Sequence, residues 1–191
     1  MGEIVVTEFV SIDGVFEDPG GDGQYAHGGW TFRFDRGEAG DAFKLEELQA
    51  AEAQLLGRVT YEGFARAWPD MAHSTGIFGE RMNGMPKYVL SATLAEATWT
   101  NSTILRGSLE DEIPALKARV AGPILVAGSG TLVQGLLSAG LVDELRLMVF
   151  PIVLGSGRRL FGESATPTAL QLAECQTVGD GILTLTYRTP S

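Results

Sequence analysis

Through most of the chain, apolar runs too short for a buried helix alternate with longer stretches of helical periodicity, and this alternation limits the possible folds more than any other feature. Ile4-Val5-Val6 with Phe9-Val10, Leu55-Leu56-Gly57, Lys87-Tyr88-Val89-Leu90-Ser91, Thr103-Ile104-Leu105 and Ile124-Leu125-Val126-Ala127 read as strands. Between them, Leu45, Leu48, Ala51 and Leu55 recur at helical spacing and predict an amphipathic helix ending near Gln54; Arg58 to Phe64 starts another. Ser108 reads as the cap of a helix carrying Leu109, Ile113, Leu116 and Val120, with Pro114 delaying its regular part, and Val133, Leu136 and Leu137 mark one more. Strands joined through helices run parallel and have both faces covered. The pattern then changes: Leu145, Leu147 and Val149 alternate with Arg146, Met148 and Phe150, and strands around 170–178 and 182–188 flank the hairpin signal Gly179-Asp180-Gly181. The expected architecture is a three-layer α/β/α domain, its mixed sheet having a parallel core and a C-terminal antiparallel hairpin. At 191 residues it reads as one domain, 1–191.

Charge excludes several functions. Against 24 Asp+Glu stand 14 Lys+Arg, a net charge of −10, with no basic cluster, so neither nucleic acid nor an anionic membrane is an expected partner. The uncharged stretch from Pro123 to Val142 reaches membrane-spanning length, but Gly128-Ser129-Gly130-Thr131 divides it into two short elements. One cysteine, Cys175, and two histidines, His27 and His73, provide neither a disulfide nor a Cys/His metal cage, so no metal is expected. The N-terminus lacks the features of a secretory signal, and a reducing cytoplasm is the expected location.

In open α/β sheets, ligands bind beyond the carboxyl ends of the strands, where helix N-termini present backbone amides. Two junctions qualify. Gly128-Ser129-Gly130-Thr131 follows a strand with small residues and two hydroxyls, a candidate anion cradle; Val133 at the third glycine position breaks the dinucleotide fingerprint, and no Gly-Lys-Ser/Thr is present. Gly57-Arg58-Val59-Thr60 places a guanidinium at a helix start, where the macrodipole favours an anion. A bound phosphate removes that conflict, and so does an Arg58 turned towards a surface carboxylate; Lys87 and Arg106 are further candidates for the same anion. A serine-hydrolase elbow is missing around Ser129 and Ser156. His27 and His73 read as exposed loop residues, and Glu46 and Glu47 as solvated. Asp13, in a turn at the mouth of the first strand, is a possible ligand residue. From Ser11 to about Arg36 a long glycine-rich segment carries Phe16, Tyr25, Trp30, Phe32 and Phe34, which predicts a packed loop.

Taken in order, Ser11-Ile12-Asp13-Gly14, Leu56-Gly57-Arg58-Val59-Thr60-Tyr61-Glu62, Ala127-Gly128-Ser129-Gly130-Thr131-Leu132, Val142-Asp143-Glu144-Leu145 and Pro151-Ile152-Val153-Leu154-Gly155-Ser156-Gly157 resemble the dihydrofolate reductase superfamily. More narrowly, the chain from about Ile4 to Arg188 is similar to stand-alone bacterial proteins related to the reductase domain of bifunctional riboflavin-biosynthesis deaminase/reductases. The resemblance implies NADPH as hydride donor, commonly a homodimer, and a small heterocyclic substrate, pterin-like or similar to 5-amino-6-ribosylaminouracil phosphate. It implies that Gly57, Arg58 and Thr60 lie along the cofactor phosphates, Ser91 near the adenosine ribose phosphate, and Gly128, Ser129, Gly130, Thr131 and Leu132 along the pyrophosphate and nicotinamide. Phe9, Asp13, Phe16 and Trp30 would border nicotinamide and substrate. For the proton donor, counting back from Gly57 suggests Asp41, whereas counting on from Trp30 suggests Asp35. Arg158 and Arg159 are either substrate-phosphate ligands or exposed turn residues. The zinc-deaminase signature H-x-E with P-C-x-x-C is absent, so the implied activity is the reductase half alone. A nucleotide-binding sensor that has lost turnover is the alternative expectation.

Overall fold

The computed structural model describes residues 1–21, 23–71, 74–162 and 167–190. The strands are β1 (Glu3–Ser11), β2 (Ala53–Gly57), β3 (Lys87–Leu90), β4 (Ser102–Leu105), β5 (Pro123–Ala127), β6 (Glu144–Phe150), β7 (Gln171–Val178) and β8 (Ile182–Arg188). Among them lie α1 (Gly37–Ala50), α2 (Arg58–Met71), α3 (Ile77–Gly84), α4 (Leu109–Arg119) and α5 (Gly130–Ser138), with a 3-10 turn at Trp30–Arg33. The strands form one sheet in the order β4-β3-β2-β5-β1-β6-β8-β7. The first six run parallel, and β8 pairs antiparallel with both β6 and β7. The expected mixed sheet with a parallel core and a C-terminal hairpin is what the chain forms.

Alternation within the strands separates two helical layers. Ile4, Val6, Leu55, Ile124 and Val126 pack with Ile113 and Leu116 of α4 and Val133 and Leu136 of α5. Val5, Leu56, Val89 and Leu125 face the other way, onto Leu48 of α1, Tyr61 of α2 and Met82 of α3. A third cluster joins Met148 and Phe150 of β6 to Val178, Ile182 and Trp30. The long loop after β1 is thereby packed, as its aromatics predicted, although Phe32 stays 79% exposed.

Two local expectations are corrected, and one helix is added. The first long helix ends at Ala50 rather than near Gln54, because Ala51 turns extended and Gln54 and Leu55 pair in register with Lys87 and Tyr88. The helical recurrence of Leu55 therefore belongs to a buried strand. α4 begins at Leu109, ahead of Pro114: the Ser108 side chain accepts the Asp111 N–H, and the carbonyl that Pro114 leaves without its helical donor belongs to solvent-exposed Glu110. Finally, α3 was not anticipated; its glycines, Gly79 and Gly84, mask a weak apolar repeat of Phe78 and Met82.

Candidate active site at the carboxyl edge of the sheet

Because the six strands are parallel, Ser11, Gly57, Leu90, Leu105, Ala127 and Phe150 all end on the same edge. β2 and β5 are neighbours, and the two glycine turns that follow them touch. The Gly57 N–H donates to Ser129 Oγ at 2.8 Å. Side chains at the glycines would block this approach: a Cβ at Gly57 would fall 3.0 Å from Ser129 Oγ, and one at Gly128 would fall 3.0 Å from Thr60 Cγ2. Gly128 has φ +70°, and Ser129 itself adopts the left-handed conformation at φ +66°. That geometry is costly for a non-glycine residue and is held here by the hydrogen bond to Gly57. The N-termini of α2 and α5 consequently lie side by side, each opening with amides that have no acceptor within the helix, a setting that attracts an anion.

Around these turns, the predicted cations are distributed unequally. Arg58 bonds Glu62 at 3.0 Å in an exposed i,i+4 pair and, with Thr93, Leu94, Ala95 and Glu96, lines a groove of about 650 Å³. Ser91 Oγ accepts the N–H groups of Thr93 and Leu94 and shapes that groove's wall. Arg106 donates to the Leu94 carbonyl at 2.8 Å and braces the same segment. Lys87 does not belong to an anion site. It stands at the opposite edge of the sheet, fully buried, with Nζ donating to the carbonyls of Asn83, Met85 and Thr100 and lying 4.2 Å from the Trp99 ring centroid. Desolvation lowers its pKa from 10.5 to about 8.

A second recess, of about 530 Å³, lies on the other side of the α5 N-terminus, lined by Phe16, Gly130, exposed Thr131, Gln134, Arg158 and Arg159. Phe16 rests directly on Gly130, where any Cβ would collide with its ring, and Leu132 is buried in the core below. Arg158 pairs with Glu17 and lies over the Phe16 ring, and Arg159 donates to the Asp13 carbonyl. Asp13 is a tie between loops: its carboxylate accepts from the Ser11 hydroxyl at 2.6 Å and from the N–H groups of Leu154 and Gly155. Those bonds, the Ser11 hydroxyl foremost, hold its pKa down at about 2. Phe9 is half-buried, edge-on to Phe150 and beneath Lys44 Nζ at 5.0 Å. Trp30, expected at the substrate border, is instead wholly buried, with Nε1 donating to the Glu17 carbonyl. Its contribution is to anchor the loop.

Neither expected proton donor lines the groove or the recess. Asp41 is exposed and pairs with Arg36 at 2.8 Å, while Asp35 is exposed and accepts the Gly37 N–H. His27 is exposed against Tyr25, and His73 lies outside the described residues. Glu46 is solvated as expected, but Glu47 is not. It is 2% exposed, bonded to the Thr7 hydroxyl and paired with Lys44 at 2.6 Å. α1 turns that carboxylate inward, where burial requires a partner.

Sequence reasoning passed over Glu8. It is 6% exposed on central strand β1, and burial raises its pKa from 4.5 to about 8, against the opposing pull of Lys44 and the Gly128 backbone amide. The signal was available: one ionisable residue inside the run Val5-Val6-Thr7-Glu8-Phe9-Val10.

A family model described as the RibD C-terminal domain matches residues 3–184. The uncharacterized protein YyaP of Bacillus subtilis strain 168 is 30% identical over 101 residues, a match spanning 53% of this chain and 53% of YyaP. Among solved structures, a putative riboflavin biosynthesis protein from Shewanella sp. PV-4 superposes with TM-score 0.76 at 24% identity, covering 99% of both chains. Dihydrofolate reductase from Enterococcus faecalis, solved with NADP(H), superposes with TM-score 0.61 at 16% identity over 99% of this chain and 97% of that one. At these identities the two structures share the fold.

Proposed function

The chain belongs to the RibD C-terminal domain family, and from that premise we propose that it is an NADPH-dependent reductase of a small heterocyclic substrate, pterin-like or ribosylaminopyrimidine-like. The observation that carries this reading is the contact of the two glycine turns after β2 and β5, which brings two helix N-termini together at one edge. A dinucleotide has two linked phosphates, and the site has two adjacent sets of amides for them. The fit is steric as well as electrostatic, since the Cβ-free surfaces of Gly57 and Gly128 let backbone approach backbone.

When bound, NADPH supplies hydride. The chain's own residues supply binding and orientation. Thr60 and the amides that open α2, with Thr131 and the amides of Gly130 and Leu132, hold the phosphates. The groove of Arg58 and Ser91 takes the adenosine end and its extra phosphate, for which Arg58 would leave Glu62. Phe9 and Phe16 wall off water, so that the reacting carbons can approach to about 3–3.5 Å. Asp13 positions the loop between them.

Titration calorimetry tests the reading. NADPH should bind at micromolar concentration and NADH more weakly; absence of NADPH binding at high micromolar concentration refutes it. Arg58→Ala should weaken NADPH far more than NADH, and equal losses would deny Arg58 the extra phosphate. The exposed positions of Asp35 and Asp41 favour one second reading, a dinucleotide sensor without turnover. Steady NADPH oxidation with any pterin or aminopyrimidine would eliminate it. A homodimer fits the exposed outer strand β7, which carries half-exposed Leu172, and sedimentation velocity reads the mass directly. The exposed thiol of Cys175 suits a reducing cytoplasm; among the described residues no helix is long and apolar enough to cross a membrane.

A further inference from the structure

The β1–β5 ladder ends at Thr7 paired with Ala127, whereas β1 and β6 stay paired as far as Ser11 with Phe150. Glu8 is therefore the first residue of β1 beyond the point where the two central strands separate, beside the Gly128 turn, whose backbone amide bonds its carboxyl. It shares its face of β1 with Ile4, Val6 and Val10, which pack under α5. Its Oε1 has no hydrogen-bond partner among the described residues. A buried carboxyl with an open lone pair is costly in a merely structural position, and such groups concentrate where a ligand completes the bonding.

We propose that Glu8, not a carboxylate of α1, is the catalytic proton donor of the reduction: it holds a proton where β1 and β5 part and passes it to the heteroatom of the bound acceptor. This inference rests on the reductase reading. The acceptor carbon of a C=N or C=O bond receives hydride from the reduced nicotinamide, and the π electrons move onto the heteroatom. That atom takes the Glu8 proton, forming N–H or O–H; the oxidised dinucleotide leaves, and the Glu8 carboxylate regains a proton from water.

The surroundings keep this proton available near neutrality. β5 and α5 have no ionisable side chain. On β6, Glu144 is engaged by Arg146 and Arg188. On α1, Lys44 is the cation that acts on Glu8, and it is itself paired with Glu47 at 2.6 Å. In the loop after β1, Asp13 is committed to Ser11, Leu154 and Gly155, and Glu17 to Arg158. Burial consequently outweighs attraction, and the Glu8 carboxyl titrates at about 8. General acids tuned to the working pH are the effective ones.

Carbon-13 NMR of labelled glutamate carboxyls, with the Glu8 signal assigned from Glu8→Gln, tests this in the free protein and in the NADPH and NADP+ complexes. The signal should titrate near 8 in the free protein and at a lower pH with NADP+ than with NADPH, because the oxidised ring carries a positive charge. Glu8→Gln should bind NADPH within about threefold of wild type and lower kcat by about 100-fold or more on any pterin or aminopyrimidine that turns over. Titration in the ordinary carboxylate range, indifference to the ring's charge, or full turnover by Glu8→Gln would each overturn the assignment. If calorimetry shows that neither dinucleotide binds, the reductase reading fails, and the proton-delivery role with it; binding without a response at Glu8 defeats this inference alone.

Discussion

A buried acid that keeps its proton makes folding depend on pH in an unusual direction, and Glu8→Gln isolates the effect. In the unfolded chain the Glu8 carboxyl loses its proton near 4.5, whereas in the folded protein it retains it to about 8. Between those values the native state binds more protons than the unfolded state, so stability falls as pH rises. One pKa unit corresponds to about 1.4 kcal/mol, so the whole interval amounts to about 4–5 kcal/mol. Glutamine has nearly the same shape and does not titrate, so any contact it gains or loses enters as a constant. Urea unfolding at half-unit steps from pH 4 to 9 should therefore give a difference, variant minus wild type, that is level below 4.5. It should then rise by about 1.4 kcal/mol per pH unit and level off above 8. Every other titrating group cancels in that difference. A flat difference would show that Glu8 ionises alike on both sides of the transition, and one falling with pH that folding lowers its pKa; either would remove the electrostatic basis for its proposed role.

Lys87→Met should destabilise the fold by about 3 kcal/mol below pH 8, since three inward carbonyls lose a charged donor. In wild type, the folded-state pKa of about 8 means that stability gained from this site increases between 8 and 10.5, and the variant's denaturation curves should lack that increase. Asp13→Asn should cost about 1 kcal/mol at pH 7 after solvent screening. The carboxylate's contribution is complete above 3.8 and is lost as pH falls towards 2, so the variant and wild type should converge in acid unfolding. Gly130→Ala forces the Phe16 ring off the start of α5, and a loss of about 1–3 kcal/mol in thermal unfolding is expected. A fully stable Gly130→Ala protein would mean that Phe16 is free to leave the recess.

The approach of the two turns in the candidate site was legible because it depends on backbone chemistry. Glycine turns after apolar runs mark places where one chain segment can approach another, and Gly57 and Gly128 do lie beside Thr60 and Ser129. Side-chain partners were less accessible. Arg58 at a helix start was compatible with a phosphate or a surface carboxylate, and here it bonds Glu62 four residues along its own helix. Lys87 looked like a candidate cation until the parallel sheet put the start of β3 at the edge opposite the turns. Asp35 and Asp41 came from counting along the chain, and counting reveals neither that Asp35 stops short of α1 nor which way the helix turns Asp41.

Local patterning thus determined the layers: period-2 and period-3.6 repeats decide which residues avoid water, and that preference is a property of each segment alone. Strand order was a different matter. β5 enters between β1 and β2, and only that insertion brings Gly128 against Gly57 and leaves Glu8 where two strands separate. The ionisation of Glu8 follows from what surrounds it, a desolvation set by segments more than a hundred residues away in the chain, and no stretch of sequence carries that information by itself.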